Sequence, residues 1–141
     1  MGTLKGKLLV AQSGGPTAAI NASLAGVVAG GLAHPEAITA VYGALHGIEG
    51  VLGEELIDFR RETRRTLARL RRTPSSALGS CRHKVTDSEY ERILDVFRAH
   101  DIRYFYYIGG NDSMDTADRV QRMARDSGYA LAYAGLADSY A

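Results

Sequence analysis

Short apolar runs alternate along the chain with stretches of helical spacing, and this pattern predicts strands separated by helices. The predicted strands are Leu8–Ala11, Ile38–Tyr42, Arg103–Ile108 and Tyr129–Ala134. Helices are predicted for Ala18–Leu32 and Arg60–Arg72, and the glycine-punctuated residues 43–59 are expected to hold one helical turn and a short strand. Strands that alternate with helices indicate βαβ units, and therefore an α/β fold with a mainly parallel sheet.

The clearest helix follows a loop at residues 73–85. Thr86 and Glu89 fit a capping box, in which each side chain bonds the backbone N–H of the other residue. Apolar side chains then recur at i, i+3, i+4 and i+7, at Tyr90, Ile93, Leu94 and Phe97. This spacing predicts an amphipathic helix with one buried stripe.

A second helix is predicted after the glycine pair at residues 109–110. We expect a turn at Gly109–Asp112, with Ser113 as the helix N-cap and Gly128 as the stop signal. Small and β-branched residues share one face, at Ala117, Val120 and Ala124. The final strand, Tyr129–Ala134, would then complete another βαβ unit.

The composition of the chain limits the kinds of partner and the location that we expect for it. Its 17 basic and 16 acidic residues give a net charge of +1, which gives no reason to expect a nucleic-acid partner. A single cysteine cannot form an internal disulfide, and the most apolar long stretch, residues 18–33, is too short and polar to span a bilayer. We therefore expect one cytoplasmic domain with no membrane role.

Two glycine turns follow predicted strands, at Ser13-Gly14-Gly15 and at Gly109-Gly110. Glycines lack a Cβ, so a ligand can approach the backbone, and the N–H groups of the following helix favour an anion such as phosphate. Ligands of α/β proteins bind beyond the carboxyl ends of the strands. The two turns are therefore candidates for one shared site, although each alone also fits a plain structural turn.

Two further groups of polar side chains suit a phosphate ligand. Asn111, Asp112 and Ser113 add oxygen atoms suited to Mg²⁺ with bound phosphates, although helix capping is an equally simple reading. In the loop "LGSCRHK", Arg82 offers a guanidinium fork that matches phosphate oxygens. The neighbouring Cys81 is expected to be a packing residue, because no nearby motif would activate it.

Together, "SGGPTAAINASL", "LGSCRHK" and "GGNDSMDTA" resemble, in this order, the amino-terminal half-domain of phosphofructokinases over about residues 5–135. The resemblance implies a three-layer Rossmann-like domain, with residues 1–141 forming part of it. It also implies a Mg²⁺-dependent transfer of a phosphoryl group to fructose 6-phosphate in glycolysis, by enzymes that form homo-oligomers.

The resemblance also implies a role for each matching residue. Gly14 and Gly15 would lie against the phosphoryl donor, and Arg82 would contact its phosphates. Gly110 and Ser113 would bind donor phosphates as well. The usual metal-linked aspartate of the family is replaced by Asn111, which weakens the case for this side chain as a metal ligand.

Asp112 bears on the choice of donor. ATP-dependent members typically have glycine there, which leaves room for the α-phosphate, whereas pyrophosphate-dependent members have aspartate. The resemblance therefore favours pyrophosphate as the donor and gives Asp112 a role in donor choice and the transition state.

The family's TIDND segment, which carries the general base, has no match in "AGLADSYA" at residues 134–141. We therefore expect a fragment that has a donor site and is inactive alone. The alternatives are an ATP-dependent 6-phosphofructokinase and a non-catalytic phosphate-binding remnant. NAD and diacylglycerol kinases share a GGDG-type turn but are not expected to carry the other two motifs.

Overall fold

The computed structural model describes residues 4–12, 26–44, 47–59, 85–109 and 111–137, of which 109, 111–114 and 133–137 are described by their backbone alone. The strands in these ranges are β1 (Gly6–Gln12), β2 (Ile38–Ala44), β3 (Leu56–Asp58), β4 (Ile102–Gly109) and β5 (Ala132–Ala137). The helical segments are α1 (residues 26–32), α2 (Ile48–Leu52), α3 (Asp87–His100) and α4 (Asn111–Asp126). The predicted helix Arg60–Arg72 and all but the last residue of the loop predicted at 73–85 lie outside these ranges.

The strands form one sheet in the order β3-β2-β1-β4-β5. β1 pairs in parallel with β2 and β4, and β4 pairs in parallel with β5. Only the short β3 is antiparallel, against β2. The predicted α/β fold with a mainly parallel sheet is therefore confirmed, as are the helical turn and short strand between β2 and α3.

Alternate residues of β1 enter separate hydrophobic clusters on the two faces of the sheet. Leu9 and Ala11 pack in a cluster with residues of α2, α3 and α4. Leu8 and Val10 pack on the other face with Val28 of α1. Because a strand projects successive side chains to opposite faces, this central strand requires a helical layer on each side.

The α3 helix follows its sequence signals closely. Thr86 and Glu89 form the predicted capping box, and the backbone N–H of Thr86 donates to a Glu89 carboxylate oxygen at 2.9 Å. The predicted stripe is buried, and the Phe97 ring lies 5.2 Å from the ring of Phe105 in β4. Asp101 ends the helix in a left-handed conformation, with φ of 54°.

Two boundaries were predicted wrongly. The α4 helix begins at Asn111, so Ser113 lies within its first turn and is not the N-cap, and Asn111 and Asp112 are helical. The last strand begins at Ala132 and not at Tyr129, because its pairing with β4 starts at Ala132, opposite Tyr104. The first shift shortens the connection between β4 and α4, and the second lengthens the connection between α4 and β5.

The other features predicted for α4 are confirmed. Ala117, Val120 and Ala124 are fully buried on one face. The helix ends at Asp126, and Gly128 adopts a φ of 75°, a conformation that glycine tolerates without strain. Within the described ranges, no helix combines the length and apolar character needed to cross a bilayer.

Candidate functional site

The carboxyl ends of β1 and β4 define the central crevice of the sheet. β1 lies between β2 and β4, and the chain leaves β1 toward one side of the sheet and later continues from β4 toward the other. Helices α1 and α4 consequently pack on opposite faces. A reversal of this kind opens a crevice between the two strands, where α/β proteins bind their ligands.

The two predicted glycine turns both start at this crevice. Gln12, the last residue of β1, is in register with Ile108 of β4. The Ser13-Gly14-Gly15 turn follows Gln12 in the sequence, and Gly110 follows the last residue of β4. The described strands therefore end side by side at one edge of the sheet, and a site shared by the two glycine segments stays a prediction.

The α4 helix begins within two residues of the end of β4. Asn111, Asp112 and Ser113 are its first three residues, and the N–H groups of a first helical turn have no partner within the helix. These groups and the helix dipole favour a bound anion. The backbone at the start of α4 can therefore hold a phosphate group by itself, without a contribution from side chains.

Of the predicted site residues, Gly14, Gly15, Arg82 and Gly110 lie outside the described residues. The end of β1 precedes Gly14 and Gly15, and Gly110 stands between the end of β4 and the start of α4. The structure brings these strand ends and this helix start together. Arg82 stands four residues before Thr86, the N-cap of α3. Its predicted contact with donor phosphates stays a prediction.

Gln12 was missed by the sequence reasoning. Its side chain is completely buried at the carboxyl end of β1, next to the first glycine turn. Burying an amide is unfavourable unless its polar atoms are bonded, so a glutamine here restricts how the end of the strand can be arranged. The available signal was a polar residue in the last position of the apolar run "LLVAQ".

No group of three or more histidine, cysteine, aspartate or glutamate side chains suited to a metal ion occurs among the described residues. A metal held mainly by substrate phosphates does not need such a cluster, because Mg²⁺ commonly binds one or two protein oxygens together with phosphates and water. Metal binding by Asn111, Asp112 and Ser113 at the helix start stays a prediction.

Comparison with known proteins relates the whole chain to one family. The phosphofructokinase family model matches residues 7–138. Over 126 residues the chain is 50% identical to the pyrophosphate–fructose 6-phosphate 1-phosphotransferase of Halomonas elongata, covering 86% of this chain and 30% of that protein. The chain thus spans about a third of the length of the curated relatives it matches.

Solved structures agree with the sequence comparison. The pyrophosphate-dependent phosphofructokinase from Marinobacter aquaeolei superimposes with a TM-score of 0.86 at 49% identity, over 92% of this chain and 32% of that one. A phosphofructokinase from Pichia pastoris, 19% identical, has a TM-score of 0.75 over 99% of this chain and 17% of that one, a likeness of fold alone. From the family match over residues 7–138, we conclude that the chain belongs to the phosphofructokinase family.

Proposed function

We propose that this chain forms the donor-binding part of a phosphofructokinase that transfers a phosphoryl group from pyrophosphate to the 1-hydroxyl of fructose 6-phosphate. The observation that carries the proposal is that β1 and β4, which precede the two glycine segments in the sequence, are neighbouring parallel strands whose carboxyl ends lie side by side. Relatives about 50% identical to this chain are named as pyrophosphate-dependent enzymes of this kind, which supports the reaction and the donor.

The donor would lie across the crevice with its phosphates at the start of α4. The N–H groups of the first helical turn would bind the transferred phosphoryl group or its neighbour. The glycines of both turns allow close approach, and the Arg82 guanidinium would bind two phosphate oxygens at once. Phosphoryl transfer depends mainly on such positioning and charge stabilisation, because the bond changes occur in the substrates themselves.

Mg²⁺ would bind together with pyrophosphate at the same helix start. Asp112 supplies a carboxylate, and Asn111 and Ser113 supply neutral oxygens, which is sufficient for an ion whose other ligands are phosphate oxygens and water. When bound, the ion would neutralise charge on the phosphates and on the leaving group. The protein's own share would be to fix the phosphates against the helix.

Asp112 would favour pyrophosphate over ATP through repulsion and lack of space. It is the second residue of α4, at the position where ATP-dependent members of the family typically have glycine. A carboxylate there would repel and crowd the α-phosphate of ATP. Pyrophosphate has no third phosphate to place beside it.

We predict that Asp112→Gly shifts donor preference toward ATP by about tenfold, which corresponds to ~1.4 kcal/mol and is modest for relief of a close like-charge pair. The measurement is calorimetric titration of the wild type and the variant with pyrophosphate and with ATP, each with and without Mg²⁺. Asp115→Gly is the matched control, since it places glycine in the same helix one turn further along at an exposed position.

The titration separates the proposal from its alternatives. Preference of the wild type for ATP would support an ATP-dependent 6-phosphofructokinase and contradict the assignment to Asp112. Tight binding of pyrophosphate that persists without any transfer in a completed enzyme would indicate a non-catalytic phosphate-binding protein. Absence of binding by either donor in a folded chain would contradict the proposed donor site altogether.

A further inference from the structure

The outer edge of β5 lies on the far side of β4 from the proposed donor crevice. β5 ends the sheet order, and within the described part of the chain it pairs with β4 alone. Every second residue of a strand that is paired on one side directs its N–H and C=O groups away from that partner. The backbone of β5 therefore offers a row of groups that a further strand can bond.

The two edge strands of the sheet differ in the features that prevent pairing. β3, at the other edge, is three residues long, contains Asp58 and follows the exposed Glu54 and Glu55. β5 is six residues long, and its sequence AYAGLA contains no charged residue and no proline. Proteins commonly protect a sheet edge by making its strand short and charged. β3 has both protective features, whereas β5 has neither.

An open groove lies at the start of β5. It has a volume of about 600 Å³ and is lined by apolar residues of this edge together with the exposed Arg125 of α4. Ala130 and Ala132 are exposed there, and Leu131 is partly exposed. The beginning of the β5 edge therefore combines apolar surface with a positive charge.

A second copy of the chain is complementary to this edge. Under a two-fold axis the β5 strands of two copies run antiparallel, so the start of each strand meets the end of the other. Asp138 follows β5 directly in the sequence. Antiparallel pairing centred on Ala134 and Gly135 would bring Asp138 opposite Leu131 of the other copy, beside the groove with Arg125. Opposite charges would then meet at both ends of the interface, with no charged residue between them.

We propose that the outer edge of β5 is a homodimerisation surface, through which two copies of this chain join their sheets into one continuous sheet. Six residues a side is a small interface compared with the roughly 20–30 residues a side of a stable complex, so the dimer is weak and depends on concentration. A two-fold contact uses the β5 edge of both copies, and the assembly therefore closes at two chains. The crevice between β1 and β4 stays outside the interface.

The test is sedimentation velocity of the 141-residue chain without pyrophosphate at about 5–500 μM, a range suited to a weak interface. We expect monomer at the low end and dimer at the high end. Ala132→Lys, which places a charge at an exposed position of the edge strand, should weaken the dimer at least about tenfold. Ala99→Lys is the matched control, since it makes the same change at an exposed position of α3 and should leave dimerisation unchanged.

An exchange of charges tests the antiparallel orientation. Arg125→Asp and Asp138→Arg should each weaken the dimer about 3- to 10-fold, because each puts like charges together at both ends of the interface. The double variant restores opposite charges and should return to within about 2-fold of the wild type. Losses that simply add in the double variant would overturn the proposed pairing.

Hydrogen exchange locates the interface without any substitution. The β5 amides that point away from β4 should exchange more slowly as the protein concentration rises, whereas the exposed amides of other segments should not change. A chain that stays monomeric, that forms aggregates of no fixed size, or that dimerises without protecting these amides would overturn the inference. Because pyrophosphate is absent from every measurement, these outcomes leave the proposed function to its own titration.

Discussion

Gly30 and Gly31 are adjacent in α1 but have opposite surroundings. A methyl group added to each, as in alanine, would show the difference. A Cβ on Gly31 would lie 2.8 Å from Val41 Cγ2 and 3.3 Å from Leu8 Cδ1, because the helix backbone rests directly on β1 and β2. A Cβ on Gly30 would meet no atom within 4 Å. Gly31 therefore allows close packing of helix and sheet, whereas Gly30 only adds flexibility to the unfolded chain.

We predict that Gly31→Ala lowers the free energy of unfolding by about 1–3 kcal/mol through overpacking. The same substitution at Gly30 should raise it by about 0.5–1 kcal/mol, because alanine favours the helix and restricts the unfolded chain. Urea denaturation of both variants measures these changes. Stabilisation of equal size in both would show that α1 does not rest on the sheet as described.

Tyr129 fastens the end of α3 to the start of β4. Its buried hydroxyl lies 3.1 Å from the carbonyl oxygen of Phe97 and also contacts that of Ile102, and its single proton can be donated to only one of them at a time. Burial raises the pKa of the Tyr129 hydroxyl, an effect that the Arg103 guanidinium 3.9 Å from the ring centroid partly opposes. The neutral phenol is therefore the form that the fold stabilises.

We predict that Tyr129→Phe costs about 1 kcal/mol of unfolding free energy at neutral pH, the usual contribution of one hydrogen bond. Since the folded pKa is raised, the advantage of the wild type is complete below the unfolded tyrosine pKa of about 10 and declines as pH rises through the folded pKa. Denaturation of both proteins from pH 8 to 11 measures the difference. A difference that stays constant over this range would contradict the raised pKa.

Sequence reasoning proposed site residues that carry an explicit chemical pattern and passed over Gln12, which carries none. Glycine turns and an arginine in a serine- and glycine-rich loop carry recognisable signals, and they led to Gly14, Gly110 and Arg82. In the sequence, Gln12 is only a polar residue at the end of an apolar run. Its burial can be seen only in the assembled sheet.

At the scale of elements, the starts of α3 and α4 show which helix boundaries a local sequence pattern can predict. The capping box of α3 was predicted correctly because Thr86 and Glu89 interact within a single turn. The start of α4 was misplaced by three residues, because the sequence offered Ser113 as a conventional cap while the helix begins almost directly after β4, at Asn111.

We predict that Thr86→Ala lowers the free energy of unfolding by about 1 kcal/mol, the typical cost of losing an N-cap residue. Glu91→Ala is the control, since it removes an exposed side chain from the same helix and should change stability by no more than about 0.5 kcal/mol. Thermal and urea denaturation provide the comparison. Equal effects of the two substitutions would show that the capping box adds nothing to the stability of α3.

At the scale of the whole molecule, the alternation of strands and helices was enough to predict a mainly parallel α/β sheet. The strand order could not be predicted from the pattern alone, because apolar runs such as those of β1 and β4 do not specify which neighbour they pair with. The resemblance of three motifs to one family predicted the type of domain without giving a strand order, and the family match over residues 7–138 agrees with that resemblance.

The chain spans about 30% of the length of its curated relatives, and the site that we propose for it holds only the phosphoryl donor. We predict that the 141-residue polypeptide binds pyrophosphate but does not phosphorylate fructose 6-phosphate, because joint positioning of donor and acceptor supplies roughly 7–11 kcal/mol of the catalysis. A coupled assay with Mg²⁺ on the purified chain measures turnover. Activity that disappears in Arg82→Ala would contradict the prediction, since a contaminating enzyme would be unaffected.

The central place of β1 also determines the timing of folding during synthesis. β1 is complete at Gln12, but the strand that covers its second edge begins only at Ile102, roughly 90 residues later, which a ribosome adds in about 5–20 s. Throughout that interval, the edge of an apolar strand stays open on the nascent chain and can pair with the same edge on a neighbouring chain. A chaperone that shields nascent strands should therefore raise the yield of this protein more than one that acts after release.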